Sequence, residues 1–586
     1  MSDNKSSVTP PGASPDASSE ASSEASSSAQ PRVKVQASVA KSSFIFASGT
    51  LFSRVSGVAR ESVVGAIFGA SVYMDAFVVA FRIPNLLREL LAEGALGSSF
   101  TKVYSSLCVT DKDAASKLLV QTLQFVVMMS LCISVVGIYF ADELVNMMTV
   151  AKVHQSADQF HSVAVALTQL LFPFIGFASL GAVVQGALYQ RGGFFLAGVA
   201  PILFNLFSIA GALWFAPFAV AIAPHSMGEA FGGAGILGLA IGTLLGGAAQ
   251  SGIQAWGIWK PLLAGKKLWP TAWPWSSDVG KVMNLMAPMV IAASAGQVNV
   301  IVNTNFATSL GTGAVTWLYF AFRLVQLPIG MFGVAVGAAV LPALSKSITE
   351  AHGKVDSKAS GEVINAMDLV AWLMIPCTMI LTLCSTDITR LLYEAGRFTP
   401  ADTTATAIAI EAYSYGLLGY GLLKVLNSYY YATGRTKYPM AVSLFSIAGN
   451  YLANSMLVHR FGHQGLAITA SIMLTMNSFL LMAGMAKDGL QVPWKQVTSS
   501  VALLFAGSCI IILVHGLYAP ILSNWSLVPL LGIDVQASSA VFLRKMDSAM
   551  RILVDTIFIG ALFGGAGLAR IGKSPKDALR MLKRRK

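Results

Sequence analysis

The chain has 586 residues, a mean hydropathy of +0.65 and 12% charged residues, about half the roughly 25% of an ordinary soluble domain. That composition excludes a string of soluble domains and points to a polytopic membrane protein. The net charge of +12 is carried largely by loops and the C-terminal tail, where topology and attraction to anionic lipid account for it without nucleic acid.

Residues 1–41 are rich in Ser, Ala and Pro ("ASSEASSEASSS") and bury too little apolar surface to fold. They read as a disordered tail, and without an apolar core they do not read as a signal peptide. Apolar segments long enough to span a bilayer, about 20 residues each, then follow. They lie at 43–68, 74–99, 118–140, 163–189, 195–218, 235–258, 282–308, 314–344, 365–386, 405–432, 438–458, 465–486, 497–518 and 550–570. No alternating pattern suggests a barrel. The fold expected is therefore all-α, a polytopic membrane protein of fourteen transmembrane helices.

Loops after even-numbered spans hold 15 Lys and Arg, loops after odd-numbered spans hold 7 with Arg551 at the edge of the last span, and the C-terminal stretch from Arg570 holds eight. The positive-inside rule then puts both termini in the cytoplasm.

Short words recur in chain order: "AFR" at 80–82 and 321–323, "LFSIAG" at 206–211 and 444–449, "GLAI" at 238–241 and 465–468. The offsets of 241, 238 and 227 residues predict a duplicated six-helix unit. An even number of helices makes the copies parallel. The domains expected are an N-lobe at 42–265, a C-lobe at 266–487, two helices outside the repeat at 488–571 and a basic tail at 572–586.

Charges inside the spans are the candidate site. "FSRVSGVARE" (52–61) and "FRIPNLLREL" (82–91) share Arg, five residues, Arg-Glu: Arg54/Arg60/Glu61 and Arg82/Arg88/Glu89. A charge at the centre of a span costs about 2.5–3.5 kcal/mol on insertion scales. The stripe positions suggest ion pairs Arg54–Glu61 and Arg82–Glu89, with Asp75 and Glu93 nearby. Pairing alone stabilises little, since desolvation offsets it. Arg323, at the repeat position of Arg82, has no acid on its own helix. Together these predict a water-filled cationic cavity of Arg54, Arg60, Arg82, Arg88 and Arg323, supported by Glu61, Asp75, Glu89, Glu93 and Lys424. A guanidinium matches phosphate bidentately, so the substrate class is phosphate-bearing or polyanionic.

Gly238, Gly242 and Gly246 predict close helix packing in span six; Pro328 and Gly330 mark a possible bend beside Arg323. The cysteines (Cys108, Cys132, Cys377, Cys384, Cys509) and the seven histidines form no HExxH, CxxC or GxSxG pattern. No metal, cofactor or catalysis is expected.

The segments "SRVSGVARE", "MDAFVVAFRIPNLLRELLAEGAL" and "YFAFRLVQLPIGMFGVAVGAAVLPALSKS" resemble the MurJ (MviN) lipid II flippases of bacteria, within the multidrug/oligosaccharidyl-lipid/polysaccharide exporter superfamily. The resemblance runs from about 42 to 486. It implies alternating access and a monomer in the bacterial cytoplasmic (inner) membrane. The cargo it implies is lipid II (undecaprenyl-diphosphate-linked disaccharide-peptide), with membrane lipids and the peptidoglycan synthesis machinery as partners. It further implies that Arg54, Arg60, Asp75, Arg88 and Arg323 are critical and that the last two spans line a lipid-tail groove. The family's acids at a sodium site appear here as Asn303 and Asn454, which argues against sodium coupling and leaves at most a weak cation site of amides. The alternative is an exporter of another polyprenyl-diphosphate-linked glycan, or a drug exporter, although cationic drugs suit an arginine-rich cavity poorly.

Overall fold

The computed structural model describes residues 49–50, 52–149, 157–215, 235–263, 273–350, 356–487, 513, 516 and 538–570. The tail expected at 1–41, most of the span expected at 497–518 and the basic tail at 572–586 lie outside the described residues.

Among the described residues there is no strand. Seven helical stretches of the described residues are long and apolar enough to cross a membrane: Lys112–Tyr139, Asp158–Gln190, Phe194–Trp214, Gly235–Trp259, Ala314–Glu350, Ser357–Leu383 and Lys437–Lys487. The last holds two of the expected spans, because Gly462 (φ 56°, ψ −135°) reverses the path between them. Helices that begin in polar turns carry side-chain caps. Ser71 accepts from Met74 N, Asp356 from Ala359 N, and Thr399 forms a reciprocal capping box with Asp402. Asp111 does the same for Lys112–Tyr139, accepting from Asp113 N and Ala114 N.

The two helices that carry "AFR" deform alike. Val72–Arg88 contains Pro84 and passes into a π-helix at Glu89–Leu96; Ala314–Pro328 ends on Pro328 and passes into a π-helix at Ile329–Gly333. Proline lacks an N–H and crowds the preceding turn, and a wider π turn is one way a helix absorbs that strain. Near Gly330, where a bend was expected, the helix carries this π segment, and the Pro84 helix carries its counterpart in the first half.

The glycines of Gly235–Leu263 serve close packing. A Cβ on Gly242 would overlap the Phe207 carbonyl and the Gly211 backbone, and one on Gly246 would overlap the Phe204 backbone. The helix Ser538–Arg570 packs on Ser357–Leu383 and Ser385–Leu392. Met379, Ile559 and Phe563 form its apolar contact. Ser548 Oγ donates to Asp387 Oδ1 at 2.7 Å, and Cys384 Sγ donates to Asp555 Oδ2 at 3.1 Å.

Candidate substrate cavity

A cavity of about 1070 Å³ lies between the halves. Its lining includes Arg54, Arg60, Arg88 and Arg323, and Glu61 is the one carboxylate among its described walls. Neutral amides complete the polar surface: Asn85, Asn205, Gln185, Gln250, Gln254 and Gln326. Sequence reading did not single these out. The available signal was a scatter of amides inside otherwise apolar spans, which is costly unless the groups pair or meet water.

The charges pair differently from the expectation. Residues seven apart share a stripe but sit two turns, about 10 Å, from one another along the axis. Instead, Glu61 pairs with its neighbour Arg60, accepts from Tyr319 Oη at 2.9 Å, and lies 3.6 Å from Arg323 Nε. Arg323, without an acid on its own helix, takes its partner from the other half. Arg323 Nη2 also donates to Tyr319 Oη at 3.2 Å, and its guanidinium lies 5.0 Å from the Tyr319 ring centroid. Arg60 lies over Phe204, 5.2 Å from the ring centroid. In the second copy of the pattern, Glu89 lies 3.9 Å from Arg88 and accepts from Asn85 at 2.9 Å and from Gln297 at 3.2 Å. One arginine set therefore faces the cavity while partly held by carboxylates and aromatic faces. Arg54 packs against Gly330, where a Cβ would overlap its guanidinium, so the π segment makes room for a charge from the opposite half.

Asp75 does not line the cavity. It is buried at one end of it, where it accepts from Gly313 N at 2.6 Å, Thr316 N at 2.8 Å and Thr316 Oγ1 at 2.6 Å. A carboxylate of the first half thus caps the N-terminus of Ala314–Pro328 in the second, where free N–H groups and the helix dipole favour negative charge. At the same end Arg397 N donates to Ala66 O at 2.8 Å. Gly69 and Gly396 adopt φ of 58° and 56° there, and a Cβ on either would strike the facing backbone. Both halves are fastened at this end. The cavity runs away from it, past Gln185 and Thr101 to Ser98 and Tyr189.

Arg82 and Lys424 are placed elsewhere. They line a second cavity of about 390 Å³ together with Asn299, Asn303, Asn450 and Asn477. Asn454 Nδ2 donates to Asn303 Oδ1 at 2.8 Å and to Asn450 Oδ1 at 2.6 Å. The side chain of Glu93 lies outside the described residues.

A family model described as "Lipid II flippase MurJ" matches residues 64–535. The chain belongs to the MurJ lipid II flippase family. A curated relative, the "Lipid II flippase MurJ" of Burkholderia cenocepacia, is 35% identical over 450 residues, covering 76% of this chain and 83% of the relative. A "Probable lipid II flippase MurJ" of Vibrio cholerae is 31% identical over 474 residues, covering 78% and 85%. Among solved structures, "Lipid II flippase MurJ, inward closed conformation" aligns with a TM-score of 0.68 at 22% identity, covering 90% of this chain and all of that one. An inward-facing multidrug resistance MATE transporter aligns with a TM-score of 0.55 at 15% identity, covering 76% and 94%. The MurJ fold and the apolar helices make this a multi-pass protein of the bacterial inner membrane.

Proposed function

We propose that this chain moves lipid II from the cytoplasmic to the outer leaflet of the inner membrane by alternating access through the arginine-lined cavity. The observation that carries the reading is Arg54, Arg60, Arg88 and Arg323 converging from both halves on one cavity whose described walls hold a single carboxylate. The cargo's diphosphate is the group that such guanidinium forks match. The neutral amides suit the sugar and peptide portions, which offer many hydroxyl and amide partners.

On the basic-loop pattern, the Ser98 and Tyr189 end of the cavity faces the cytoplasm and the Asp75 end faces outside, with both termini cytoplasmic. Cargo enters from inside while Asp75 holds the outer end shut. Release of Gly313 and Thr316 from Asp75 then opens the outer end. The monomer suffices for this cycle, since both halves of the cavity come from one chain; the peptidoglycan synthesis machinery is the consumer of the product. Ser538–Arg570, packed outside the cavity, belongs to the groove proposed for the lipid tail.

The experiment is replacement of the native protein by variants in its host, with lipid II at the outer leaflet as the readout. Arg60→Ala and Arg323→Ala should block its appearance while still inserting in the membrane. Arg→Lys variants should recover only part of it, since a point charge lacks the fork. Normal flipping by both alanine variants would overturn the proposal.

A further inference from the structure

The second cavity is lined by a different set of residues from the central one. Its described walls carry two cationic side chains, Arg82 and Lys424, and no carboxylate. Among the described residues neither makes an ion pair: Arg82 Nη1 donates to Thr304 Oγ1 at 2.5 Å, and Lys424 Nζ lies 5.0 Å from the Tyr420 ring centroid. Two positive charges at membrane depth are costly unless something negative joins them. The central cavity sets Glu61 against its arginines; the described walls of this one hold no carboxylate.

The amides are arranged to suit the same need. Asn454 supplies N–H groups to the side-chain oxygens of Asn303 and Asn450. That occupies the acceptor sides of those two residues and leaves their own N–H groups, which have no partner among the described residues, for the cavity they line. The hydroxyls of Ser443 and Tyr413 add donors on the wall. The buried carbonyl oxygens of Asn299 and Asn477, which lack a donor, fit water that accompanies a partly hydrated ion.

From this we infer that the second half of the chain contains an anion site of its own, held by Arg82 and Lys424 and lined by the Asn303 and Asn450 N–H groups. Its ligand is a small, singly charged anion. Chloride and a carboxylate share this chemistry. A carboxylate source on the peptide of the cargo would rest on the flippase reading above; dissolved chloride would not. In this arrangement Asn454 Nδ2 occupies the side-chain oxygens of Asn303 and Asn450, while its own buried Oδ1 lacks a donor, as do those of Asn299 and Asn477.

Crystals of the full chain grown in sodium bromide test the location directly through anomalous scattering. A bromide peak in the cavity of Arg82 and Lys424, lost in Lys424→Gln and retained in Lys424→Arg, is the expected result. Bromide in the central cavity with none beside Lys424 would overturn the proposal. Thermal unfolding of the purified protein identifies the source, at fixed sodium and ionic strength, by comparing chloride and acetate with a bulky sulfonate. A saturable rise in Tm with chloride alone assigns an inorganic ion, and a rise with acetate alone assigns a carboxylate. Either rise should shrink in both Arg82→Gln and Lys424→Gln. A rise with neither anion, or one that both variants keep in full, refutes the site, whatever the outcome for flipping.

Discussion

Asp75→Asn isolates the fastening at the Asp75 end of the cavity. The carboxylate accepts three hydrogen bonds from the start of Ala314–Pro328, and bonds to a charged group contribute roughly 1.5–3 kcal/mol each. The amide keeps one oxygen for the Thr316 donors and turns an NH2 toward the Gly313 N–H. One bond is lost, two donors face each other, and the favourable charge at the helix N-terminus, about 0.3–2 kcal/mol, disappears. A loss of about 3 kcal/mol is the central expectation, and at 1.4 kcal/mol per tenfold it shifts the closed-to-open ratio of that end roughly a hundredfold. Thr316→Val, which removes only the hydroxyl, should cost about 1.5 kcal/mol, the lower end for a bond to a charged group. Spin labels at Ser162 and Thr404, exposed residues of opposite halves, report the separation in a background without native cysteines. Asp75→Asn should add a longer-distance population, and Thr316→Val a smaller one. If the distance distribution of Asp75→Asn matches wild type, the interaction does not hold the halves together.

Gly242→Leu forces a side chain into the Phe207 carbonyl and the Gly211 backbone; neither can rotate away, so a loss of about 3 kcal/mol or more and a depressed Tm are expected in thermal unfolding. Single cysteines at 70 and 312 should react with an impermeant thiol reagent added outside, while cysteines at 112, 264 and 576 should not, and outside labelling at 264 would reverse the orientation drawn from the basic loops. Flipping in proteoliposomes should rise with an inside-negative potential and continue without a sodium gradient. Flipping at zero potential that stops when the sodium gradient is removed would reject a potential-driven cycle.

The all-helical membrane fold was legible because hydropathy is a property of single segments. The run at 437–487 reads as two spans in sequence, and the structure makes the break at Gly462, where the apolar pattern pauses. Arg54, Arg60, Arg88 and Arg323 were legible as a cavity because buried charge is costly wherever it occurs. Their partners were not. The stripe argument sees one helix at a time, whereas Glu61 is shared between Arg60 on its own helix and Arg323 across the cavity. Asp75 likewise looks like another nearby acid in sequence, yet its partners are backbone groups 238 and 241 residues away. The separation of Arg82 and Lys424 into a second cavity had the same cause: sequence shows that a helix carries a charge, and packing alone decides which space that charge faces.

The charge inventory also bears on what drives the proposed cycle. Four arginines and one glutamate among the described walls leave the central cavity with a formal charge of +3, as Arg54, Arg60, Arg88 and Arg323 outweigh Glu61. An inside-negative potential acts on each charge that crosses it with about 2.3 kcal/mol per 100 mV. An empty cationic cavity is therefore drawn back to face the cytoplasm. Cargo with a diphosphate and carboxylates cancels or reverses that charge, so the same field stops opposing the outward step and then favours it. No third ion is needed for the two half-cycles to run in opposite directions. The Asn454 bridge agrees with this economy. Asn454 Nδ2 already occupies the oxygens of Asn303 and Asn450, where acids in those places would have called for a cation to join them.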